Sequence, residues 1–183
     1  MRALIWIKAI NENVPMVEAD WWNTLAECFS LKPPLVSWCP PSEGCLKFNV
    51  DGAFKDPSAG CGGVLRNSKG DTKALFSAPV DPINSDYSEL MAIKTVLALF
   101  LETGWCENFS LSIESDSQLV LKWIESSSER PWRWRDIFEE IDSYLKRIEG
   151  VKFVYVPREG NGFADHLAKQ RLLCSMLFKA WWD

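Results

Sequence analysis

The chain has 183 residues, of which 47% are hydrophobic and 13% aromatic, a composition that is typical of a globular domain and excludes a wholly disordered chain. Its 20 basic and 25 acidic residues give a net charge of −5 at pH 7, which excludes a protein that binds nucleic acid only by neutralising many phosphates. No segment approaches the roughly 18 consecutive apolar residues that a membrane span requires, so we expect no membrane partner. Such a chain avoids nucleic acid, contacts it through a local patch, or recruits metal cations to neutralise phosphates.

The cysteines and the single histidine argue against a zinc site. The six cysteines lack a Cys-x-x-Cys pair, and His166 lies far along the chain from most of them, so zinc-finger spacing is absent. We interpret the cysteines as free thiols in a reducing compartment. Lys8 interrupts the apolar N-terminus and no small-residue cleavage site follows it. We therefore predict no secretory signal and an intracellular protein, in the nucleus or the cytoplasm.

The chain divides into three parts by composition. Residues 1–44 contain two Pro-Pro pairs, which force extended backbone, and we interpret this part as an N-terminal extension that ends in a stiff linker. Residues 45–173 carry regular hydrophobic patterns and are predicted to form one domain. Residues 174–183 are predicted to be a C-terminal tail.

The secondary structure of the domain can be predicted in chain order. Leu46, Phe48 and Val50 alternate with polar residues, as expected of a strand, and a turn sequence at 67–71 separates two further strands. The full prediction has strands at 46–51, 59–66, 72–80, 109–114 and 151–156, and helices at 86–103, 117–125, 131–148 and 163–177. This order, βββαβααβα, predicts an α/β fold with a mixed five-stranded sheet flanked by helices.

Two aspartates lie where predicted strands end. Asp51 is followed by Gly52, so its side chain is expected at the end of the sheet, although a strand-ending Asp-Gly is also a common plain turn. Asp116 lies between a strand and a helix, at the sheet edge where open α/β sheets build ligand sites. An ordinary helix N-cap is the alternative for Asp116.

Two further carboxylates lie on predicted helices. Glu89 shares a helix face with the apolar residues Ile93 and Val96, where a carboxylate is costly unless it is paired, protonated or metal-bound; the alternative is a capping role together with Asp86. Asp165 lies in the first turn of the last helix, where a favourable charge–dipole interaction is the alternative.

The predicted topology brings these four carboxylates to one place. Clustered acids repel one another and raise one another's pKa unless cations are bound, and oxygen ligands select Mg²⁺ or Mn²⁺. Two such ions would activate a water molecule and stabilise the leaving oxygen in phosphodiester hydrolysis. The metal ions would also supply the positive field that the acidic chain lacks.

Four motifs, in this order, resemble those of type 1 ribonuclease H. They are LKFNVDGA at 46–53, DYSELMA at 86–92, IESDSQ at 113–118 and VPREGNGFADHLA at 156–168. The likeness is strongest to the ribonuclease H-like domains of plant non-LTR retrotransposons and their domesticated relatives, and it covers about residues 45–173. The resemblance implies the ribonuclease H-like fold and cleavage of the RNA strand of an RNA–DNA hybrid.

The resemblance also implies the roles of individual residues. It assigns catalysis and the binding of two Mg²⁺ ions, for which Mn²⁺ can substitute, to four residues: Asp51, Glu89, Asp116 and Asp165. It implies substrate contacts at four more: Gly52, Ala53, Arg158 and Asn161. Arg158 stands where many relatives carry a mobile histidine that helps the product leave, and we expect it to substitute for that histidine. His166 is interpreted as structural or solvent-facing.

The sequence departs from the family in having no long basic protrusion to bind the hybrid. Its place is taken by residues 126–135, in which three arginines are interleaved with Trp132 and Trp134. These could hold a phosphate backbone and stack on bases, but we favour the interpretation that they form core contacts and a solvated face. We therefore expect weak affinity for the hybrid.

Three functions remain open at this point. The first is a metal-dependent endonuclease that acts as a monomer on RNA–DNA hybrids. The second is a catalytically inactive ribonuclease H-like module, derived from a retrotransposon, that binds nucleic acid or a protein. The third, a 3′–5′ exonuclease, fits less well because that class expects an Asp-x-Glu pair on the first strand, where this chain has Asp51-Gly-Ala53.

Overall fold

A computed structural model describes residues 38–170 and 178–181. Its regular elements are the strands β1 (Cys45–Lys55), β2 (Ser58–Arg66), β3 (Thr72–Val80), β4 (Ser110–Ser115), β5 (Lys152–Tyr155) and β6 (Phe178–Trp181), and the helices α1 (Ser85–Glu102), α2 (Gln118–Glu125), α3 (Arg135–Leu145) and α4 (Gly162–Gln170). None of the helices in this described part is both long enough and apolar enough to cross a membrane.

The strands form one mixed sheet in the order β5-β4-β1-β2-β3-β6. β1, β2 and β3 form an antiparallel meander, whereas β4 runs parallel to β1 and β5 runs parallel to β4. The α/β fold and the mixed sheet are thus confirmed, but the predicted number of five strands is wrong. The sixth strand, β6, comes from the predicted tail and pairs antiparallel with β3. The four residues of β6, Phe178-Lys179-Ala180-Trp181, do not alternate strictly between apolar and polar, so the pattern does not predict a strand there.

The helix starts decide between alternatives that the sequence left open. Asn84 caps α1, since its side-chain oxygen accepts a hydrogen bond from the Tyr87 N–H at 2.8 Å. Ser117 caps α2 by accepting from the Val120 N–H at 3.3 Å. The capping roles considered for Glu89 and Asp116 are therefore taken by other residues, and both carboxylates are available for other contacts.

The predicted helix at 131–148 is shorter than expected. A 3₁₀ turn at Trp132–Trp134 precedes α3, and this turn directs the Trp134 ring between Tyr87 and Trp123, at centroid distances of 5.8 and 5.3 Å. The last predicted helix is present to Gln170, and its remainder, 171–177, lies outside the described residues.

Helices cover both faces of the sheet. On one face, α1, α2 and α3 pack against the large apolar cluster that contains Phe48 and Ile113. On the other face, α4 packs against a smaller cluster around Val64. Gly62 lets α4 lie close to the sheet, because a Cβ there would come within 2.6 Å of the Ala168 nitrogen. This close approach brings the start of α4 to the edge where Asp51 lies.

Trp38, which precedes β1, lies against this second face of the sheet. The Arg66 guanidinium is 4.7 Å from the centre of its indole ring, and the Lys47 ammonium is 5.5 Å away. Lys47 also donates a hydrogen bond of 2.8 Å to the carbonyl of Cys39. The end of the predicted linker is therefore in contact with the sheet.

Candidate metal centre

Three of the four predicted carboxylates meet at one end of the sheet. One carboxylate oxygen from each of Asp51, Glu89 and Asp116 lies within 4.8 Å of the other two. Asp51 and Glu89 are only 4% and 7% exposed. The predicted convergence of β1, α1 and the end of β4 is thus present in the structure.

The position of Asp51 differs in one respect from the expectation. Asp51 does not end its strand, because β1 continues to Lys55 and pairs with β2 up to Ser58. It lies instead beyond the paired part of β4, since the last parallel pair of these strands joins Asn49 to Glu114. The early end of that pairing creates the space in which Asp51 and Asp116 face each other.

Gly52 permits the close approach of α1 that delivers Glu89. A Cβ on Gly52 would collide with the backbone of Ser88 and Glu89. Glycine is therefore required here for helix packing. This packing role is compatible with the predicted substrate contact at the same residue.

The electrostatics of the three carboxylates fit a bound cation. Burial raises the pKa of Asp51 far above its ordinary value, and the charges of Glu89 and Asp116 raise it further. Burial also raises the pKa of Glu89, with a second contribution from Asp116. The Oε2 atom of Glu89 is buried and has no hydrogen-bond partner among the described residues. A hard divalent cation among these oxygens would remove both the repulsion and the unpaired acceptor.

Asp165, the fourth predicted carboxylate, lies beside this cluster rather than within it. Lys169 and Arg158 form ion pairs with its two oxygens, at 2.7 and 3.2 Å. Asp165 is nevertheless close enough for its charge to contribute to the raised pKa of Asp51. Because the partner ammonium and guanidinium lie on exposed side chains, these pairs are weak and a metal ion could replace them.

Asn161 is buried and fixes the start of α4. Its side-chain amide donates to the Val50 carbonyl at 2.7 Å, and its backbone carbonyl accepts from the Asp165 N–H at 3.1 Å. Asn161 thus connects the backbone beside Asp51, through its side chain, to the first turn of α4, through its own backbone. Its burial, with 1% exposed, leaves it little surface for a substrate.

An open cleft of about 660 Å³ adjoins the carboxylates. It is lined by three of the predicted substrate contacts, Gly52, Ala53 and Arg158, and by Lys55, Lys169 and Asp165. Asp56 also lines the cleft, which therefore carries three cationic and two acidic side chains.

The segment at 126–135 has mainly structural contacts, with one exception. Trp134 is buried, and Arg130 binds the Asp142 carboxylate at 2.6 Å and the Trp123 carbonyl at 2.8 Å. Trp132 is 89% exposed. His166, which was expected to be structural or solvent-facing, lies 3.1 Å from Gln170 within α4.

A buried polar network next to the carboxylates was not predicted. Glu114 binds the Lys47 ammonium at 2.6 Å and the Asn49 amide at 2.8 Å. Arg66 in turn donates to the Asn49 carbonyl oxygen at 3.2 Å. The available signal was Glu114, an acid at the end of a predicted strand and two residues before Asp116.

Comparison with known proteins supplies a family match and one curated relative. The model of the family described as "Reverse transcriptase-like" matches residues 49–171. A protein of Arabidopsis thaliana, named as an inferred ribonuclease H protein, is 26% identical over 147 residues. That match covers 79% of this chain and 23% of the relative, so the chain spans about a quarter of the relative's length.

Solved structures of ribonucleases H share the fold. Ribonuclease H1 of the archaeon Halobacterium salinarum matches with a TM-score of 0.64 and 23% identity, over 70% of this chain and 98% of that one. LC11 ribonuclease H1, a protein isolated from compost and solved in complex with an RNA/DNA hybrid, matches with a TM-score of 0.63 and 22% identity, over 69% and 96% of the two chains. At these identities the likeness establishes the ribonuclease H-like fold alone.

Proposed function

The chain belongs to the reverse transcriptase-like family and has a ribonuclease H-like domain, and from this premise we propose that it is a divalent-metal-dependent endonuclease that hydrolyses the RNA strand of RNA–DNA hybrids. The observation that carries the proposal is the buried group of Asp51, Glu89 and Asp116, with the unpaired Oε2 of Glu89. A buried cluster of like charges is unfavourable for folding, and the binding of cations is the function that best accounts for it.

Four residues would hold two Mg²⁺ ions, or Mn²⁺ in their place. Asp51 would contact both ions, Glu89 and Asp116 would hold one of them, and Asp165 would hold the other. When bound, such ions activate water and stabilise the leaving oxygen of a phosphodiester. The charge of Asp165 already acts on Asp51, so Asp165 can reach a metal ion there by exchanging its contacts with Lys169 and Arg158.

Other side chains would hold the substrate at the cleft. Lys55, Lys169 and Arg158 can bind phosphates of the hybrid, and Gly52 and Ala53 leave room for the backbone of the RNA strand beside Asp51. The 2′-hydroxyl groups distinguish this strand from DNA. Arg158, an exposed side chain paired with Asp165, is suited to move with the departing 5′-phosphate product.

Cleavage of a labelled RNA–DNA hybrid in Mg²⁺ and in Mn²⁺ tests this proposal. The wild-type chain is expected to cut the RNA strand, and Asp116→Asn is expected to abolish cleavage. Asp136→Asn, which changes an exposed aspartate on α3, is the matched control and should cut like the wild type. Double-stranded DNA and double-stranded RNA of the same sequence should stay intact.

The second candidate is a catalytically inactive module that binds nucleic acid or a protein. The exposed ring of Trp132 favours it as a contact for a partner, and the net charge of −5 opposes the binding of a hybrid that the nuclease needs. If folded wild-type protein binds the hybrid without cutting it in either metal, this second function replaces the first.

A further inference from the structure

Asn49 and Glu114 form a buried polar pair directly beside the carboxylates. They are the last paired residues of the parallel strands β1 and β4, and they are only 1% and 5% exposed. Each stands two residues before a carboxylate, Asp51 or Asp116. Asn49 shares a sheet face with Asp51, and Asp116 directly follows the end of β4 at Ser115. The pair therefore lies at the end of the β1–β4 pairing, directly before the segments that carry both aspartates.

The contacts of Asn49 fix the orientation of its side-chain amide. Its nitrogen donates to Glu114 at 2.8 Å, and its oxygen accepts from Arg66 at 3.2 Å. A flipped amide would place its oxygen against a carboxylate and its N–H groups against a guanidinium, so only the observed orientation satisfies both partners. Glu114 is held in place by its ion pair of 2.6 Å with Lys47.

Asn161 connects this pair to the metal centre. Its amide donates to the carbonyl of Val50, the residue between Asn49 and Asp51, at 2.7 Å. The same amide nitrogen lies 3.5 Å from a carboxylate oxygen of Asp116, and the Asn161 carbonyl oxygen lies 3.5 Å from the Asn49 amide. The network thus reaches the backbone next to one aspartate and the side chain of the other.

A polar network at this position is energetically unfavourable compared with apolar residues of similar size, because buried charges lose their hydration. We infer that Asn49 and Glu114 are positioning residues, which set the separation of Asp51 and Asp116 and thereby the affinity of the chain for divalent metal. This inference rests on one part of the proposed function, the binding of metal by the carboxylates. It does not depend on which nucleic acid is cut.

Titration of the full chain with Mn²⁺ alone, followed by calorimetry, tests the inference without any substrate. Glu114→Gln keeps the shape of the side chain but removes its charge, and it is expected to weaken Mn²⁺ binding about tenfold, as changes behind metal ligands do. Asn49→Ser, which is too short to reach Glu114, is expected to have a similar effect. The double variant should lose little more than either single one, because the two residues act as one unit.

Asp142→Asn is the matched control. It breaks another partly buried ion pair, between Arg130 and Asp142, on the opposite side of the domain core from α4. It should lower thermal stability while leaving Mn²⁺ affinity unchanged. If Glu114→Gln fails to fold, as judged by circular dichroism, Asn49→Ser decides the question.

The possible outcomes separate this inference from the proposed function. Unchanged Mn²⁺ affinity in the folded variants at 49 and 114, or an equal loss in Asp142→Asn, would overturn the positioning role. Wild-type protein that binds Mn²⁺ but cuts no hybrid would overturn only the proposed nuclease. Wild-type protein that binds no Mn²⁺ would overturn both.

Discussion

The two faces of the sheet bury different kinds of residue. The face under α1, α2 and α3 buries a continuous apolar cluster, in which Leu97 and Ile113 are completely inaccessible to solvent. The face under α4 buries a smaller apolar cluster around Val64 and, beside it, the charged side chains of Asp51 and Glu114. The first face can supply most of the stabilisation by apolar burial, whereas the second contains groups that destabilise the fold unless they are paired or bind metal.

This difference indicates how the domain tolerates an acidic cluster in its interior. Proteins are stable by a small margin, so unfavourable groups at a functional site must be offset elsewhere. Here both faces share the same central strands, β1 and β2, which carry alternate residues to opposite sides. Substitutions on the apolar face should therefore change mainly the stability, and substitutions on the polar face mainly the metal-dependent activity.

The largest effect is expected on the polar face, from Asp51→Asn. We expect the rate of hybrid cleavage to fall by about a thousandfold, since a lost metal ligand removes several kcal/mol of transition-state stabilisation. The same variant should be more stable than the wild type in EDTA, because it removes a buried carboxyl group that, beside Glu89 and Asp116, must either keep an unfavourable charge or take up a proton. Cleavage assays and urea denaturation measure the two effects, and lower stability of the variant in EDTA would contradict a repulsive cluster.

The next largest effect is expected on the apolar face, from Leu97→Ala. Because Leu97 is completely buried, the truncation should lower the free energy of unfolding by about 3 kcal/mol through lost burial and a residual cavity. Mn²⁺ affinity of the folded variant should not change. Leu119→Ala, the same substitution at a leucine that is 46% exposed, is the control and should cost less than about 0.5 kcal/mol.

Gly52→Ala should lower both the stability of the domain and its affinity for Mn²⁺. The added methyl group would press on the backbone of Ser88 and Glu89, so we expect a loss of about 2 kcal/mol of stability from overpacking together with weaker Mn²⁺ binding. Gly162→Ala is the control, because a Cβ at this first residue of α4 meets nothing within 4 Å. Equal behaviour of the two variants in denaturation and in Mn²⁺ titration would show that Gly52 is not a close-packing position.

A pH dependence of stability without metal is also expected on the polar face. Burial raises the pKa of Glu89 to about 8 and raises that of Asp51 as well. In the unfolded chain, carboxyl groups lose their protons above their ordinary pKa near 4. At higher pH the folded chain therefore still holds protons that the unfolded chain has released. Stability should therefore be highest in acid and fall as the pH rises above about 4, by at most about 1.4 kcal/mol per pH unit for each proton. The fall should continue up to the raised pKa values, about 8 for Glu89 and about 10 for Asp51. Urea denaturation in EDTA at several pH values measures this slope, which should flatten in Asp51→Asn and at saturating Mg²⁺.

Much of the fold and the centre of the site could be predicted from local patterns. The alternation along β1 and the apolar face of α1 were sufficient to place Asp51 and Glu89 at a common edge, because strand and helix periodicities determine which side chains share a face. The continuation of β1 beyond Asp51 could not be predicted in this way. It depends on pairing with β2 across Lys55 and Ser58, and an Asp-Gly sequence is compatible with both a turn and a strand.

The contacts between distant residues could not be predicted. Glu114 and Asn49 are separated by 65 positions, and each alone looks like an ordinary polar residue of an alternating strand. The ion pairs that hold Asp165 depend on the side-chain conformations of Lys169 and Arg158, which the sequence does not determine. β6 was missed because four residues are too few to distinguish a strand from a tail.

The contacts of Trp38 with Arg66 and Lys47 bear on the position of the N-terminal boundary of the domain. The predicted boundary at residue 45 would retain all four carboxylates but would remove the indole that covers Arg66 and Lys47. Water would then reach the Lys47–Glu114 ion pair, and the higher local dielectric constant would weaken the attraction between its charges. A chain shortened to that boundary would keep every proposed metal ligand, yet the charge pair behind them would be exposed to solvent. We therefore propose that the minimal domain includes Trp38, seven positions before the first strand.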